Sequence, residues 1–156
     1  MPGSDAISAQ LETPASFIFR PGQVYSMTLG EDEYTGRGGG AHFGSAVQVM
    51  FVGCEANATM VTVDLTARTT GDPTKVSETP DVLAYDQQSH RVYLAAESGW
   101  ASVFDRGDGH TTVLGSKHLA EGAHSVALDP TTHHTFFPIP KGTNGNPALW
   151  ECEPTS

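Results

Sequence analysis

An internal repeat runs through the second half of this sequence. Val82–Glu97 (VLAYDQQSHRVYLAAE) and Val126–Pro140 (VALDPTTHHTFFPIP) share an apolar strand that ends in Asp, a polar turn with a His, and a second apolar strand. At an offset of 43 residues, His90 falls on His133. An earlier stretch, Val49–Asp64, matches the second and third strands of the unit at a similar offset. The chain is therefore predicted to consist of units of about 42 residues, each an antiparallel sheet.

Each unit is predicted to contain four strands. The second strands, QVMFVGCE, RVYLAAE and HTFFPI, are apolar on both alternating faces, whereas a strand with one solvent-exposed face would alternate strictly. The third strands are MVTVDL, WASVFD and ALWECEP; the fourth are HTTVLGSKHL and, more weakly, RTTGDPTKV. Four-stranded units of about 40–45 residues, covered on both faces, are typical of β-propeller blades. The 17 Gly and 10 Pro favour the same turn-rich, all-β class. An antiparallel sandwich whose hairpins match by chance is the alternative.

These residues resemble the YVTN-type β-propellers, a bacterial family of seven-bladed proteins. The resemblance is carried by Pro80–Asp105 and Gly122–Ile139 and extends over roughly 47–150. It implies about three four-stranded antiparallel blades, an incomplete propeller similar to the C-terminal blades of the family. It implies no particular activity, because propellers carry many functions. Pro138 departs from the family pattern, and its strand is expected to lie at a sheet edge or to end early, since proline has no N–H for a ladder.

The chain is predicted to divide into two parts. Residues 1–46 match no unit and are interpreted as an N-terminal segment, either a degenerate blade or disordered. Residues 47–156 hold the blade repeats. A closed propeller needs about 4–8 blades, so somewhat under three would leave apolar faces uncovered. A fragment of a longer propeller is the preferred explanation; self-association through the open blade faces, or a cover formed by residues 1–46, are the alternatives.

The formal net charge of −10 is spread along the chain. Binding to nucleic-acid phosphates and to anionic membranes depends on Lys and Arg, so neither partner is expected. No apolar run is long enough for a transmembrane helix. The compartment stays open: the resemblance favours the periplasm or secretion, whereas the missing signal peptide favours the cytoplasm. Cys54 and Cys152 are interpreted as free thiols, with a single disulfide as the alternative.

Candidate functional residues lie where the first strands of the units begin, which in a propeller is the mouth of the central channel. By the repeat, His124 occupies the position of Asp81, and Glu55 that of Glu97. The candidate ligand-binding residues are Glu55, Asp81, Glu97 and His124. A His beside carboxylates could transfer protons near neutral pH. The alternative is that all four are capping or solvated residues of the loops. No Cys/His cluster with ligand spacing is present, so neither a metal nor another cofactor is expected.

The sequence predicts a binding or scaffold module without catalysis of its own. It does not identify the ligand or protein partner, because propeller specificity depends on loop geometry. The alternative is a propeller-type lactonase or lyase that uses acid and His groups at the channel mouth.

Overall fold

The computed structural model describes residues 25–33, 46–107 and 110–154, with side chains from residue 49 onward. Within these ranges the chain is all β apart from one 3-10 turn at Glu55–Asn57, which confirms the predicted fold class. The strands are β1 (Tyr25–Glu33), β2 (Ala46–Cys54), β3 (Thr59–Asp64), β4 (Thr69–Thr70), β5 (Thr74–Lys75), β6 (Pro80–Asp86), β7 (Arg91–Ala96), β8 (Trp100–Asp105), β9 (Thr112–His118), β10 (Ala127–Leu128), β11 (Thr135–Ile139) and β12 (Ala148–Cys152).

These strands form three antiparallel sheets in chain order. The first sheet has the order β1-β2-β3-β4, the second β6-β7-β8-β9, and the third β10-β11-β12. In the first sheet, β4 pairs with one end of β3 and β5 with the other end, so the two together take the place of a fourth strand. The third sheet has three strands within the described residues, one fewer than the predicted unit.

The second sheet lies between the other two. Its first strand, β6, contacts β1 and β2 of the first sheet and β10 of the third. The first strands of successive sheets are therefore neighbours, as they are around the axis of a propeller. The outer strands β9 and β12 lie on the opposite side of each sheet.

The central strand β7 is buried on both faces. Val92, Leu94 and Ala96 pack with residues of the first sheet, whereas Tyr93 and Ala95 pack with residues of the third sheet. A sheet covered on one side would leave alternate residues exposed, so this burial confirms the prediction from the doubly apolar pattern. Strand β2 behaves similarly: alternate residues belong to two different buried clusters.

Two features differ from a simple reading of the sequence. Strand β1 comes from the segment 1–46 and pairs with β2 from Tyr25 opposite Cys54 to Glu33 opposite Ala46. The other residues of that segment lie outside the described ranges, apart from Ala46 itself, and the division at residue 46 stays a prediction. Strand β11 holds Pro138 and is the middle strand of its sheet; it ends at Ile139, and the short β10 pairs only with Thr135 and Phe136. Pro138 therefore has a neighbouring strand on one side alone.

Two smaller predictions concern the cysteines and the membrane. Both cysteines are free thiols, and burial raises the pKa of the Cys54 thiol, which suits a side chain that acts as a small hydrophobe. In the described part of the chain, no helix has the length and apolar character that a bilayer crossing requires.

Candidate functional site at the loop face

The loop face is the end of the sheets at which β6 and β10 begin and β2 and β7 end. The sequence places all four candidate residues here. Loops at one end of a rigid stack of sheets can change without disturbing the core, so functional side chains are commonly found on them.

The structure brings Asp81 and His124 into contact across the second and third sheets. Nδ1 of His124 lies 2.6 Å from Oδ2 of Asp81, and the side chains are 49% and 33% exposed. Nε2 of His124 makes no hydrogen bond to any described residue. The carboxylate therefore fixes the imidazole orientation while the second ring nitrogen stays accessible.

A β-bulge positions Asp81. Pro80 pairs with Ala96 and Val82 pairs with Ala95, so the ladder skips Asp81. A bulged residue leaves the regular alternation and its side chain is redirected, a device that is common beside functional sites.

A tight turn positions His124. The backbone N–H of Ala123 donates to the carbonyl of Ala120 at 3.1 Å, and Gly122 within the turn has φ 75°, which favours glycine. Ala123 is fully buried between the second and third sheets. This anchored residue fixes the chain immediately before His124.

Glu97 and Glu55 lie on the loop face without joining the pair. The backbone N–H of Glu97 donates to the carbonyl of Thr79 at 2.9 Å, which keeps Glu97 at the same end of the second sheet as Asp81. Glu55 begins the 3-10 turn after β2. Among the described residues, no hydrogen bond or ion pair links either glutamate side chain to Asp81 or His124.

The two ends of the sheets differ in their basic residues. The arginines of the described residues all lie at the end opposite the loop face: Arg68 in the turn after β3, Arg91 at the start of β7 and Arg106 after β8. The loops of the loop face carry the lysines Lys75 and Lys141 and a larger set of carboxylates, namely Glu55, Glu78, Asp81, Glu97 and Glu121. The opposite end carries a similar number of carboxylates, so the two ends differ in the type of basic residue and not in their excess of acidic groups.

Carboxylates at the opposite end cap turns. Oδ1 of Asp64 accepts the N–H groups of Thr66 and Ala67 at 2.9 and 2.7 Å, and Oδ1 of Asp129 accepts that of Thr131 at 2.8 Å. A residue with positive φ lies four positions after each of Asp64, Asp86 and Asp129. These residues are Arg68 (57°), His90 (55°) and His133 (62°). The interpretation of His90 and His133 as turn residues therefore agrees with the structure.

Besides its place in a turn, His133 makes a side-chain contact that the sequence did not predict. Its Nδ1 lies 2.8 Å from Oδ2 of Asp86, a carboxylate of the neighbouring sheet that is almost completely buried. Ser89 Oγ donates to the same oxygen at 2.6 Å, and the N–H groups of Gln88 and Ser89 donate to Oδ1 at 3.1 and 3.4 Å. Burial acts to raise the pKa of Asp86, but the hydrogen bonds from Ser89, His133 and Gln88 bring it below its usual value.

A third His–carboxylate pair lies outside the loop face. Nδ1 of His134 is 2.7 Å from Oε1 of Glu151, on the face of the third sheet that points away from the second. No group of three or more His, Cys, Asp or Glu side chains in the described ranges is arranged to hold a metal ion.

Two clefts flank the outer part of the second sheet. One, of about 350 Å³, lies between β9 and β12, and the other, of about 450 Å³, lies between the β5 region and β8–β9. The sequence does not predict these clefts, because they depend on how far apart the outer strands of neighbouring sheets lie. No signal in the strand pattern encodes that spacing.

Comparison with known proteins supports the fold. No protein-family model and no curated protein matches the sequence. Among solved structures, the chain is similar to a proposed 6-phosphogluconolactonase from Bacteroides fragilis, with a TM-score of 0.56 and 10% identity over 69% of this chain and 32% of that chain. It is also similar to a chain of a nidogen/laminin complex, with a TM-score of 0.52 and 13% identity over 88% of this chain and 47% of that chain. Both are β-propeller-like proteins.

This chain is built of β-propeller blades. The loop face is the end of the blades at which the first strands begin, and its role as a binding site stays a prediction. The propeller chain spans less than half the length of either solved chain. At such low identity the similarity shows the fold alone.

Proposed function

We propose that this propeller chain is a non-catalytic binding module that recognises a positively charged ligand at its loop face. The observation that carries the proposal is the difference in hydrogen bonding between the carboxylates at the two ends of the blades. At the opposite end, Asp64, Asp86 and Asp129 are used as turn caps and hydrogen-bond acceptors within the fold. On the loop face, Glu97 has no hydrogen bond to another described side chain, and Asp81 bonds to one described side chain, that of His124.

The geometry of the loop face suits ligand binding better than catalysis. A positively charged group could approach Asp81 and Glu97 together, because both lie at the same end of the second sheet. The exposed Nε2 of His124 supplies one additional hydrogen-bonding atom. Neutralising carboxylates that otherwise repel one another favours a cationic ligand in a chain of net charge −10.

An NMR titration of ¹⁵N-labelled protein with tetralysine, in low salt, tests this proposal. We expect shift changes centred on Asp81, Glu97 and His124. The double variant Asp81→Asn/Glu97→Gln should weaken binding by roughly three- to tenfold, since each exposed ion pair contributes about 0.2–1 kcal/mol. The matched control Glu151→Gln removes an exposed carboxylate away from the loop face and should leave the affinity unchanged. Equal loss in both variants, or shifts spread over the whole surface, would contradict the proposal.

A lactonase or lyase remains the second candidate, and one observation favours it. The Asp81–His124 pair places an imidazole beside a carboxylate with Nε2 accessible, which is the arrangement of a general base that could activate water. Under this alternative, glucono-δ-lactone would be hydrolysed by the wild type and by His134→Ala, but not by His124→Ala. Without lactone turnover in the wild type, the binding module stands.

We further propose that the chain is a relative of the YVTN-type propellers. The proposal is supported by the repeat in Pro80–Asp105 and Gly122–Ile139, together with the blade architecture. An alignment of homologues that joined this repeat to another propeller family would count against it.

A further inference from the structure

We propose that the third blade binds an extended segment of another polypeptide as a fourth strand along β12. This interaction surface lies at the outer edge of the blade and is separate from the loop face, so it does not depend on the ligand proposed there.

The first argument is the open edge of β12. In the described part of the chain, β12 pairs with β11 on one side and with no strand on the other. In the second blade, the equivalent third strand β8 pairs with β9 along its length, and in the first blade β4 and β5 share that position. A row of free backbone donors and acceptors on a sheet edge is a template for another strand.

The second argument is the cleft beside that edge. A cavity of about 350 Å³ separates β9 of the second blade from β12, where a fourth strand of the third blade would lie. Its walls are largely apolar and include Tyr93, Val103, Leu114, Leu119 and Phe137. Leu114 is 53% exposed although it faces this cleft, so an added strand would cover an apolar side chain that the described chain leaves in solvent.

The third argument is the alternation of side chains along β12. Ala148, Trp150 and Cys152 pack towards the second blade, whereas Leu149 and Glu151 point to the opposite face. A strand added beside β12 would continue this alternation and place every second side chain in the cleft. The occupant is therefore expected to carry apolar residues at alternate positions over about five residues, the length of β12.

Backbone chemistry and charge define the class of partner. Only a polypeptide presents N–H and C=O groups at the spacing of a sheet edge, so strand addition favours a peptide over a small molecule. Arg91 and Lys117 also line the cleft, two of eight basic residues in an acidic chain, with Glu153 at one end. Acidic residues in the bound segment are therefore favoured over basic ones.

Hydrogen exchange of the full chain with a designed peptide tests the proposal. The probe is the heptapeptide TVTVEVT, and the control TVTPEVT carries a central proline, which cannot complete a ladder. We expect TVTVEVT to slow exchange of the β12 amides that are not bonded to β11, and TVTPEVT to have no effect. Unchanged β12 exchange with TVTVEVT would overturn the proposal.

A matched pair of variants tests whether the peptide contacts the cleft or the outer face of the third blade. Leu114→Gln should weaken TVTVEVT binding roughly tenfold, because it replaces an apolar contact with the valines of the probe by a polar side chain. Leu149→Gln changes an exposed side chain on the other face of the third blade and should leave the affinity unchanged. Both sites are more than half exposed, so both variants are expected to fold. Equal weakening by the two variants would overturn the assignment of the cleft.

Protection of β12 before any peptide is added would also overturn the inference. Protection that does not change with protein concentration would mean that this chain fills its own edge. Protection that grows with concentration would assign the edge to a second copy of the chain. In both cases the loop-face titration with tetralysine would remain valid, so failure of one proposal is distinguishable from failure of the other.

Discussion

Three histidine–carboxylate pairs have nearly the same nitrogen–oxygen distance but different surroundings. The contacts His124–Asp81, His133–Asp86 and His134–Glu151 measure 2.6, 2.8 and 2.7 Å. Only Asp86 is buried, and it accepts several further hydrogen bonds. Burial makes an unpaired polar group costly, so the His133–Asp86 pair is expected to stabilise the fold, whereas the exposed pairs contribute little to stability.

The buried pair gives a pH-dependent prediction. The pKa of Asp86 is below its usual value in the folded state, so its ionised form contributes stability above the unfolded pKa of about 3.9. That contribution is lost as the pH falls from about 4 towards the folded pKa. We expect Asp86→Asn to lower the free energy of unfolding at pH 7 by about 1–3 kcal/mol and to flatten its decline below pH 4.

Urea unfolding at pH 7 and at low pH measures both effects. Asp129→Asn is the matched control, because Asp129 occupies the equivalent position in the next unit and its pKa is also lowered, by the Thr131 N–H, but it is only partly buried. The control should destabilise the protein less than Asp86→Asn. An Asp86→Asn protein as stable as the control would contradict a structural role for the buried pair.

At the scale of residues, the repeat predicted which residues occupy equivalent positions in the blades. It did not predict equally well which side chains bond to one another. Aligning the units placed Asp81 and His124 at equivalent points, and the structure joins them across two blades. The contact between Asp86 and His133 could not be read in this way, because the two residues are not equivalent in the repeat. Their meeting depends on how one turn lies beside the next when blades pack.

At the scale of elements, burial on both faces is what the middle strands have in common. The sequence predicted the central strands β2, β7 and β11 and the third strands β3, β8 and β12 from their apolar pattern. It did not assign β1 to a unit, because the sequence YSMTLGEDE lacks the terminal aspartate and short turn of the repeat. It also predicted a single weak strand at RTTGDPTKV, which the structure divides into β4 and β5 around Gly71–Pro73.

Substitutions on β7 and β12 test whether the buried side chains of the middle strand β7 stabilise the fold. Leu94 is fully buried between the first and second blades, whereas Leu149 is 65% exposed. We expect Leu94→Ala to lower the free energy of unfolding by about 2–5 kcal/mol, because it removes buried methyl groups and leaves a cavity. Leu149→Ala should change it by about 0.5 kcal/mol or less. Urea unfolding measures the free energy of unfolding of each variant, provided that the m-value is unchanged. Similar losses of stability in the two variants would contradict the burial of β7 on both faces.

At the scale of the whole molecule, the two outer blades end differently. The face of the first blade that points away from the second is lined by the buried residues Met50, Val52, Cys54, Val61 and Val63. The corresponding face of the third blade includes Phe136, the exposed Pro138 and the exposed Leu149. A closed propeller covers each blade with another, and the three blades of the described residues fall short of the smallest ring of about four. The third blade is therefore the surface at which further blades would pack.

This open face predicts concentration-dependent self-association. In a propeller the face of one blade is complementary to the face of the next, so the exposed face of the third blade favours contact with another molecule. Light scattering after gel filtration should show a mass that rises with protein concentration for the wild type and for Leu114→Lys, which alters the cleft instead. Leu149→Lys should shift the protein towards the monomer, because it places a charge at the centre of the apolar face. A wild-type protein that stays monomeric at every concentration would show that exposure of Leu149 and Pro138 alone is too small an apolar surface to hold two copies together.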